Sequence, residues 1–486
     1  MALDPAMAER ATPAVPAAVP AAVPVRRRRL VLLAALMAIF MPAAESSIVA
    51  TALPTIIGEL GGFQLFSWVF AVPFLAMAVT IPLYGRLADL HGRKRVFFIG
   101  TTIFLVGTTL CGFARSMEWL IAFRTLQYIG GGAIQTIATT IIGDIYTPAE
   151  RARIQGASSA VWGFAAIVGP ALSAFLVEHV QWSVVFWVNL PIGAVSIAMF
   201  ALFLDERVER REHRIDYGGA ALLILGVGAL LLALVQATRL DLGVTAALAT
   251  LGAAALGLLL VYERRAAEPV LPLHLWRQRV LALSNVAGFG AAATYMAVSA
   301  LLPTYVQGVM GHSPRVAGLV VGAGSVSWMF ASIAAGRLMI RTSYRLTAAI
   351  GGVNLVVGCG VLATLAPDAG PAWPAIGSLL LGIGMGFCNT TFLVAIQGAA
   401  AFAERGVATG SQMFMRMIGM SVGAALYGAI LNAGVHPGSD TRVNQLLDIA
   451  SRVQIDPDQL VRLAAAVADA AQIAFCVALL VAAATL

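Results

Sequence analysis

Apolar residues run through this chain in blocks of about 20, separated by short polar stretches that hold most of the charge. At ~1.5 Å per residue a helix of that length crosses a ~30 Å hydrocarbon core. The blocks are apolar all round, without the polar face a soluble surface helix keeps. The pattern predicts fourteen membrane-spanning helices, over residues 30–57, 66–84, 96–114, 118–142, 154–177, 183–204, 217–236, 244–262, 280–304, 315–337, 346–366, 373–398, 406–432 and 466–486. Residues 1–29 lack both periodicity and large apolar side chains and are expected to form a disordered tail.

Composition sharpens this picture. Hydrophobic residues make up 59% of the 486 positions and charged residues 11%, where a soluble domain carries about 25% charge. The net charge of +7 raises the question of nucleic acid, which the placement of the charge answers. Arg26–Arg29, the Arg86 to Arg95 stretch, Arg151 and Arg153, the run from Arg207 to Arg214, Arg264 to Arg279, Arg337 to Arg345 and Arg405 all fall in alternate connections. These are the cytoplasmic ones under the positive-inside rule, and with an even helix count both termini lie in the cytoplasm. The cytoplasmic (inner) membrane is the expected location, the lipid bilayer and a small-molecule substrate the expected partners, and no nucleic acid is expected.

The fourteen blocks group as six, two and six. A first bundle spans 30–204, a linker with two extra membrane helices 205–279, and a second bundle 280–486. Gly85-Arg86-Leu87 after the second helix returns as Gly336-Arg337-Leu338 after the second helix of the last group, the kind of internal echo transporter halves show.

Chemistry-bearing residues are few. Cys111, Cys359, Cys388 and Cys476 stand alone in apolar blocks, and the six histidines are scattered, so neither a metal site nor a catalytic grouping is expected. No GxxxxGK[ST] phosphate loop is present, so ATP is not the expected energy source. Glu45 and Arg124, by contrast, lie inside apolar blocks, where an ionised group is costly and carries function by default. Glu45 is 16 residues past Arg29, roughly 24 Å up a straight helix. Arg124 sits about 9 Å below the opposite boundary, so the two share one depth. Glu45 reads either as a proton carrier whose protonation switches with access to water, or as half of a fixed ion pair. Arg124 reads either as its partner in a polar cavity or as a side chain snorkelling outward.

Gly85-Arg86-Leu87-Ala88-Asp89-Leu90-His91-Gly92-Arg93-Lys94-Arg95 fills a short turn between two helices. It strongly resembles the GxLxDxxGRKR loop of the major facilitator superfamily. Arg124-Thr125-Leu126-Gln127 with Gly130-Gly131-Gly132-Ala133 is similar to that family's RxxQGxGxA motif, with Tyr128 at a usual glycine; Gly163 with Gly169-Pro170 resembles the antiporter motif GxxxGPxxGG. The stretch from Trp182 to Gly193, Glu45 to Pro54, Pro303 to Gln307 and Arg416 to Gly419 resemble landmarks of the fourteen-helix drug:proton antiporter branch. The resemblance implies an all-α membrane fold of two six-helix bundles with two inserted helices, and a transporter rather than an enzyme.

It further implies proton-coupled export of small amphipathic compounds by alternating access, with protons as the coupling ion and no other cofactor. Asp89 would meet Arg93 and the amino end of a helix near Gly406 to latch the cytoplasmic side, with Gly85 and Gly92 allowing close approach; Gly163, Gly169 and Pro170 would bend the fifth helix at the seam between halves. Gln127, Trp162, Phe164, Trp328, Phe414 and Arg416 are the expected substrate-cavity residues, since aromatic and thioether groups accept varied shapes. Facing lipid is the other reading of the aromatics, and bonding neighbouring helices the other reading of Arg416. Export of a native metabolite, peptide or lipid is the alternative substrate reading, a membrane receptor or scaffold the alternative class, and a monomer the expected state.

Overall fold

The computed structural model describes residues 25–146, 148–206, 216–236, 240–266, 273–400, 404–434 and 456–486. The 1–24 part of the expected tail lies outside the described residues, as do the side chains of Asp89 and Asp144, while residues 25–29, expected in the tail, are helical and open α1, since a run of arginines is a good helix former and continues the apolar span. Fourteen long helices are present among them: α1 Val25–Leu60, α2 Trp68–His91, α3 Arg93–Cys111, α4 Met117–Ile145 and α5 Pro148–His179. There follow α6 Val184–Phe203, α7 Tyr217–Val235, α8 Leu242–Glu263, α9 Arg279–Val309 and α10 Pro314–Arg341. The last four are α11 Tyr344–Ala363, α12 Ala372–Ala399, α13 Arg405–Gly434 and α14 Pro457–Thr485.

Thirteen of them are long and apolar enough to cross a bilayer. The exception is α4, whose Arg124, Gln127, Gln135, three consecutive glycines and run of threonines dilute its hydropathy. It is the helix that carries the polar machinery. α14 begins at Pro457, nine positions before the apolar pattern starts at 466, because Asp456 and Pro457 open the helix ahead of its apolar body. α9 extends to Val309 by running wide over Ala297–Leu301 and Tyr305–Val309, on either side of Pro303, where the ring denies an N–H to the helical ladder.

α1–α6 pack among themselves, as do α9–α14, and the two sets meet along two seams, α2 against α13 and α5 against α10. Each seam pairs the second helix of one set with the fifth of the other. The tripeptide echo at Gly85 and Gly336 falls near the ends of α2 and α10, so it marks equivalent positions.

Small residues make the close approaches, because helices in lipid associate through packing rather than through expulsion of water. A Cβ at Gly163 of α5 would lie 2.5 Å from Met329 Cγ of α10, and one at Gly318 of α10 would lie 3.2 Å from the Pro170 carbonyl oxygen of α5. A Cβ at Gly428 of α13 would lie 2.5 Å from Ser67 Oγ. Gly163, Gly169 and Pro170 thus sit where α5 presses on α10 and on α1: a Cβ at Gly169 would meet Ser47 Cβ at 3.2 Å.

The inserted pair stands outside this core. α7 lies on α2 and α13 at one seam, and α8 packs chiefly on α7. Gly252, Ala255, Leu259 and Glu263 are the buried residues of α8, a single stripe flanked by half-buried positions such as Leu256, and most of the remaining helix faces outward.

At the end of the bundle carrying Ser67 the two halves are fastened. Gln307 Nε2 donates to the Thr51 carbonyl (3.3 Å), Ser421 Oγ to the Ala71 carbonyl (2.7 Å) and Asn432 Nδ2 to the Gln64 carbonyl (2.9 Å), each from the second half to the first. These three bonds tie the halves together on this side.

Candidate functional site

Glu45 lies on α1 and Arg124 on α4, and both are fully buried. Arg124 Nη1 reaches Glu45 Oε1 at 3.2 Å, while Asn189 Nδ2 of α6 donates to Glu45 Oε2 at 2.6 Å. The guanidinium is held elsewhere too: Nε donates to the Val69 carbonyl of α2 at 3.0 Å, Nη2 lies 3.5 Å from the Tyr128 hydroxyl, and its carbon stands 5.2 Å from the Tyr128 ring centre. Four helices therefore converge on one ion pair. A carboxylate and a guanidinium without water at this depth persist only because each has partners for its charge. The carbonyl oxygen of Asn189 (Oδ1) is buried without a partner.

The sequence pattern put Glu45 and Arg124 at one depth, and the structure places them in contact. Asn189 and the Val69 carbonyl were missed. Asn189 stands within the Trp182 to Gly193 motif, a polar residue in an apolar block, and that was the signal available; a backbone carbonyl gives none.

Beside this cluster, between the halves, lies a cavity of about 140 Å³ walled by α1, α2, α4 and α5 on one side and α9, α10, α12 and α13 on the other. Its lining is rich in aromatic and thioether side chains. Phe70, Phe74, Trp162, Tyr295 and Trp328 contribute rings, and Met77, Met296, Met329, Met413, Met417 and Met420 contribute sulfur. Ser46, Gln135, Thr139, Asn389, Gln412 and Arg416 supply polar atoms. Trp328 meets Tyr295 edge-on at 5.0 Å.

Of the expected cavity residues, Trp162, Trp328 and Arg416 line this space, and Gln127, Phe164 and Phe414 do not. Gln127 turns toward α3, where Nε2 donates to Thr108 Oγ1 at 2.8 Å. Phe164, 57% exposed, faces outward beside Phe40, and Phe414 is packed into the helix interior. α5 and α13 are apolar on several faces, so one turn of the helix decides between cavity, core and lipid.

At the opposite end of the bundle from Ser67, Gly92 makes the α2–α3 turn with φ 91°, a conformation open to glycine and costly for other residues. The Asp89 side chain of the expected latch, and those around Gly406, lie outside the described residues. What the structure does show at this loop is a clamp within the first half. The Glu206 carboxylate accepts from the Arg93 N–H (2.5 Å) and the Lys94 N–H (2.9 Å), capping the amino end of α3. Lys94 Nζ donates to the Ala201 and Leu204 carbonyls at the end of α6 (2.8 Å each). Beside it, Arg27 pairs with Asp205, and Arg28 Nη2 meets Glu150 at 2.8 Å. Gly85 stands against Thr136 of α4, a Cβ there falling 3.7 Å from its methyl group.

Comparison with known proteins agrees with this architecture. Residues 34–424 match the model of the Major Facilitator Superfamily. "Multidrug resistance protein 3" of Bacillus subtilis (strain 168) is 32% identical over 409 residues, 83% of this chain and 79% of that protein. The "Multidrug transporter protein MdtP" of the same organism is 32% identical over 410 residues, 84% of this chain and 76% of that one. The "Acurin A biosynthesis cluster MFS-type transporter" of Aspergillus aculeatus is 34% identical over 417 residues, covering 83% and 75%. Among solved structures, a bacterial homologue of the human lysosomal transporter Spinster, titled inward-facing and unoccupied, superposes with a TM-score of 0.68 at 15% identity, covering 94% of this chain and 95% of that one. These are multi-pass membrane transporters, not enzymes, and this chain belongs to the Major Facilitator Superfamily.

Proposed function

We propose that the protein is a proton-coupled antiporter of the fourteen-helix branch that exports small amphipathic compounds from the cytoplasm by alternating access. The observation that carries the reading is the buried Glu45–Arg124–Asn189 cluster next to an aromatic cavity at the junction of the two halves. The basic residues at the Gly92 end make that end cytoplasmic. The fastened Ser67 end then makes this an outer-closed conformation, and substrate enters from the cytoplasm. A cavity of about 140 Å³ is smaller than the ~300–1,000 Å³ of ligand sites, so the methionine wall must yield or the Gly92 end must widen as substrate is taken in.

A carboxylate that both oxygens tie to α4 and α6 is coupled to helix position. Protonating Glu45 removes the charge that holds Arg124, so α1 can part from α4; releasing the proton restores the pair. Gly163, Gly169 and Pro170 lie at the α5 contacts that must slide when the halves rock. A native metabolite as cargo is the second reading, supported by the fungal relative named for a biosynthesis cluster. The test is ΔpH-driven accumulation of candidate compounds in inverted vesicles or proteoliposomes. Accumulation that collapses when the proton gradient is dissipated supports antiport; uptake indifferent to the gradient overturns proton coupling.

A further inference from the structure

The cavity has an unbalanced charge. Among the described residues Arg416 is its one charged lining side chain, and no described Asp or Glu lines it. Glu45 does not line the cavity; its two oxygens face Arg124 of α4 and Asn189 of α6. Among the described residues Arg416 has only neutral company. Nη1 donates to Asn389 Oδ1 at 3.3 Å, the guanidinium carbon stands 5.8 Å from the Trp162 ring centre, and Nε is buried with no partner.

One helical turn earlier on α13, Gln412 is 2% exposed and its Nε2 is likewise buried with no partner. Residues four apart on a helix share a face. Arg416 and Gln412 therefore line the same side of the cavity, and each carries a donor nitrogen left without a partner inside the wall. A buried cation without a counter-charge is costly, and the cost is removed when an anion with acceptor oxygens arrives.

We infer that the cavity selects amphipathic anions: a carboxylate or sulfonate on an aromatic or apolar body, the acid on Arg416 and Gln412, the body against Trp162, Trp328 and the methionines. A cationic amphiphile in the same place adds a like charge a few ångströms from Arg416 with no carboxylate to offset it. The inference rests on reading this cavity as the transport site.

The test is equilibrium binding to the purified full chain in nanodiscs, without any gradient, of three naphthalene compounds: a sulfonate, an uncharged alcohol and a methylammonium. Quenching of the intrinsic tryptophan fluorescence, with Trp162 and Trp328 on the cavity wall, reports occupancy. The sulfonate is expected to bind at least tenfold tighter than the ammonium. Arg416→Gln should bring the sulfonate-to-alcohol affinity ratio close to one, Arg416→Lys should keep it well above one, and Arg416→Glu should favour the ammonium. An ammonium that binds as tightly as the sulfonate, or a ratio that Arg416→Gln does not move, overturns the inference. A variant that loses the alcohol as well has lost its cavity; the wild-type sulfonate-to-ammonium ratio then decides alone. Because no proton gradient enters this measurement, its failure is distinct from a failure of ΔpH-driven transport.

Discussion

Replacing Glu45 by glutamine separates its charge from its hydrogen bonds. In the structure one carboxylate oxygen faces Arg124 Nη1 at 3.2 Å and the other faces Asn189 Nδ2 at 2.6 Å, both donors. A glutamine offers one acceptor and one donor, so its NH2 group must confront a donor unless a neighbour turns. Asn189 can turn, since its Oδ1 is buried with no partner; flipping that amide presents an acceptor to the new NH2 while the glutamine oxygen stays on Arg124. The hydrogen bonds are then kept, and what is lost is the counter-charge of the buried guanidinium, about 3 kcal/mol. Glu45→Ala loses the counter-charge and the hydrogen bonds together and leaves Arg124 beside a void, a cost of about 5 kcal/mol or more. Glu45→Gln should therefore give a folded protein with a lowered melting temperature, and Glu45→Ala a still less stable one, by thermal unfolding in detergent. Transport separates from stability. Glu45→Gln cannot release a proton, so ΔpH-driven accumulation in inverted vesicles should fall to background while substrate still binds. In the wild type, apparent affinity at the cytoplasmic-facing site should rise with pH as Glu45 loses its proton, and this slope should flatten in Glu45→Gln. Glu45→Gln vesicles that accumulate substrate uphill at the wild-type rate would refute the coupling role and leave a fixed ion pair as the explanation.

At the Ser67 end, Gly428→Leu drives a side chain into Ser67 and should shift the conformational balance away from the outer-closed state. Overpacking costs about 1–3 kcal/mol, or about 5- to 150-fold in population, read as lower crosslinking between cysteines placed at Gln64 and Asn432. Glu206→Ala removes the acceptor shared by the Arg93 and Lys94 N–H groups and should destabilise the fold by about 1–2 kcal/mol, with Glu206→Gln intermediate, in denaturant or thermal unfolding. Arg124→Lys should retain more transport than Arg124→Ala, but less than wild type, because lysine keeps the charge and loses the fork that reaches Val69, Glu45 and Tyr128 together. Reporters fused at Glu209 and Arg264 should read cytoplasmic and one within 435–460 extracytoplasmic; the opposite signals would break the orientation assigned from the basic residues.

The sequence by itself determined that the chain is a series of long apolar helices, approximately where each begins and ends, and which ionised residues lie inside them. Those quantities follow from lipid as solvent. Backbone groups must be satisfied within each span, the hydrocarbon thickness sets its length, and a charge inside a span stands out. Glu45 and Arg124 were legible for that reason, and so was the turn at Gly92, where local backbone geometry demands glycine. What only the tertiary structure decided is rotation about each helix axis. A span that is apolar all round has no stripe to say which face meets protein, so Gln127, Phe164 and Phe414 went to α3, to the outer surface and to the helix interior rather than to the cavity, while Trp162, Trp328 and Arg416 reached it. Asn189 on Glu45, Glu206 on the α2–α3 turn and the orphaned donors of Arg416 and Gln412 likewise depend on contacts between residues far apart in the chain. Those contacts arise from close packing of small residues between helices, Gly163 on Met329 and Gly318 on Pro170 among them, and packing fixes the angular setting that hydropathy leaves open.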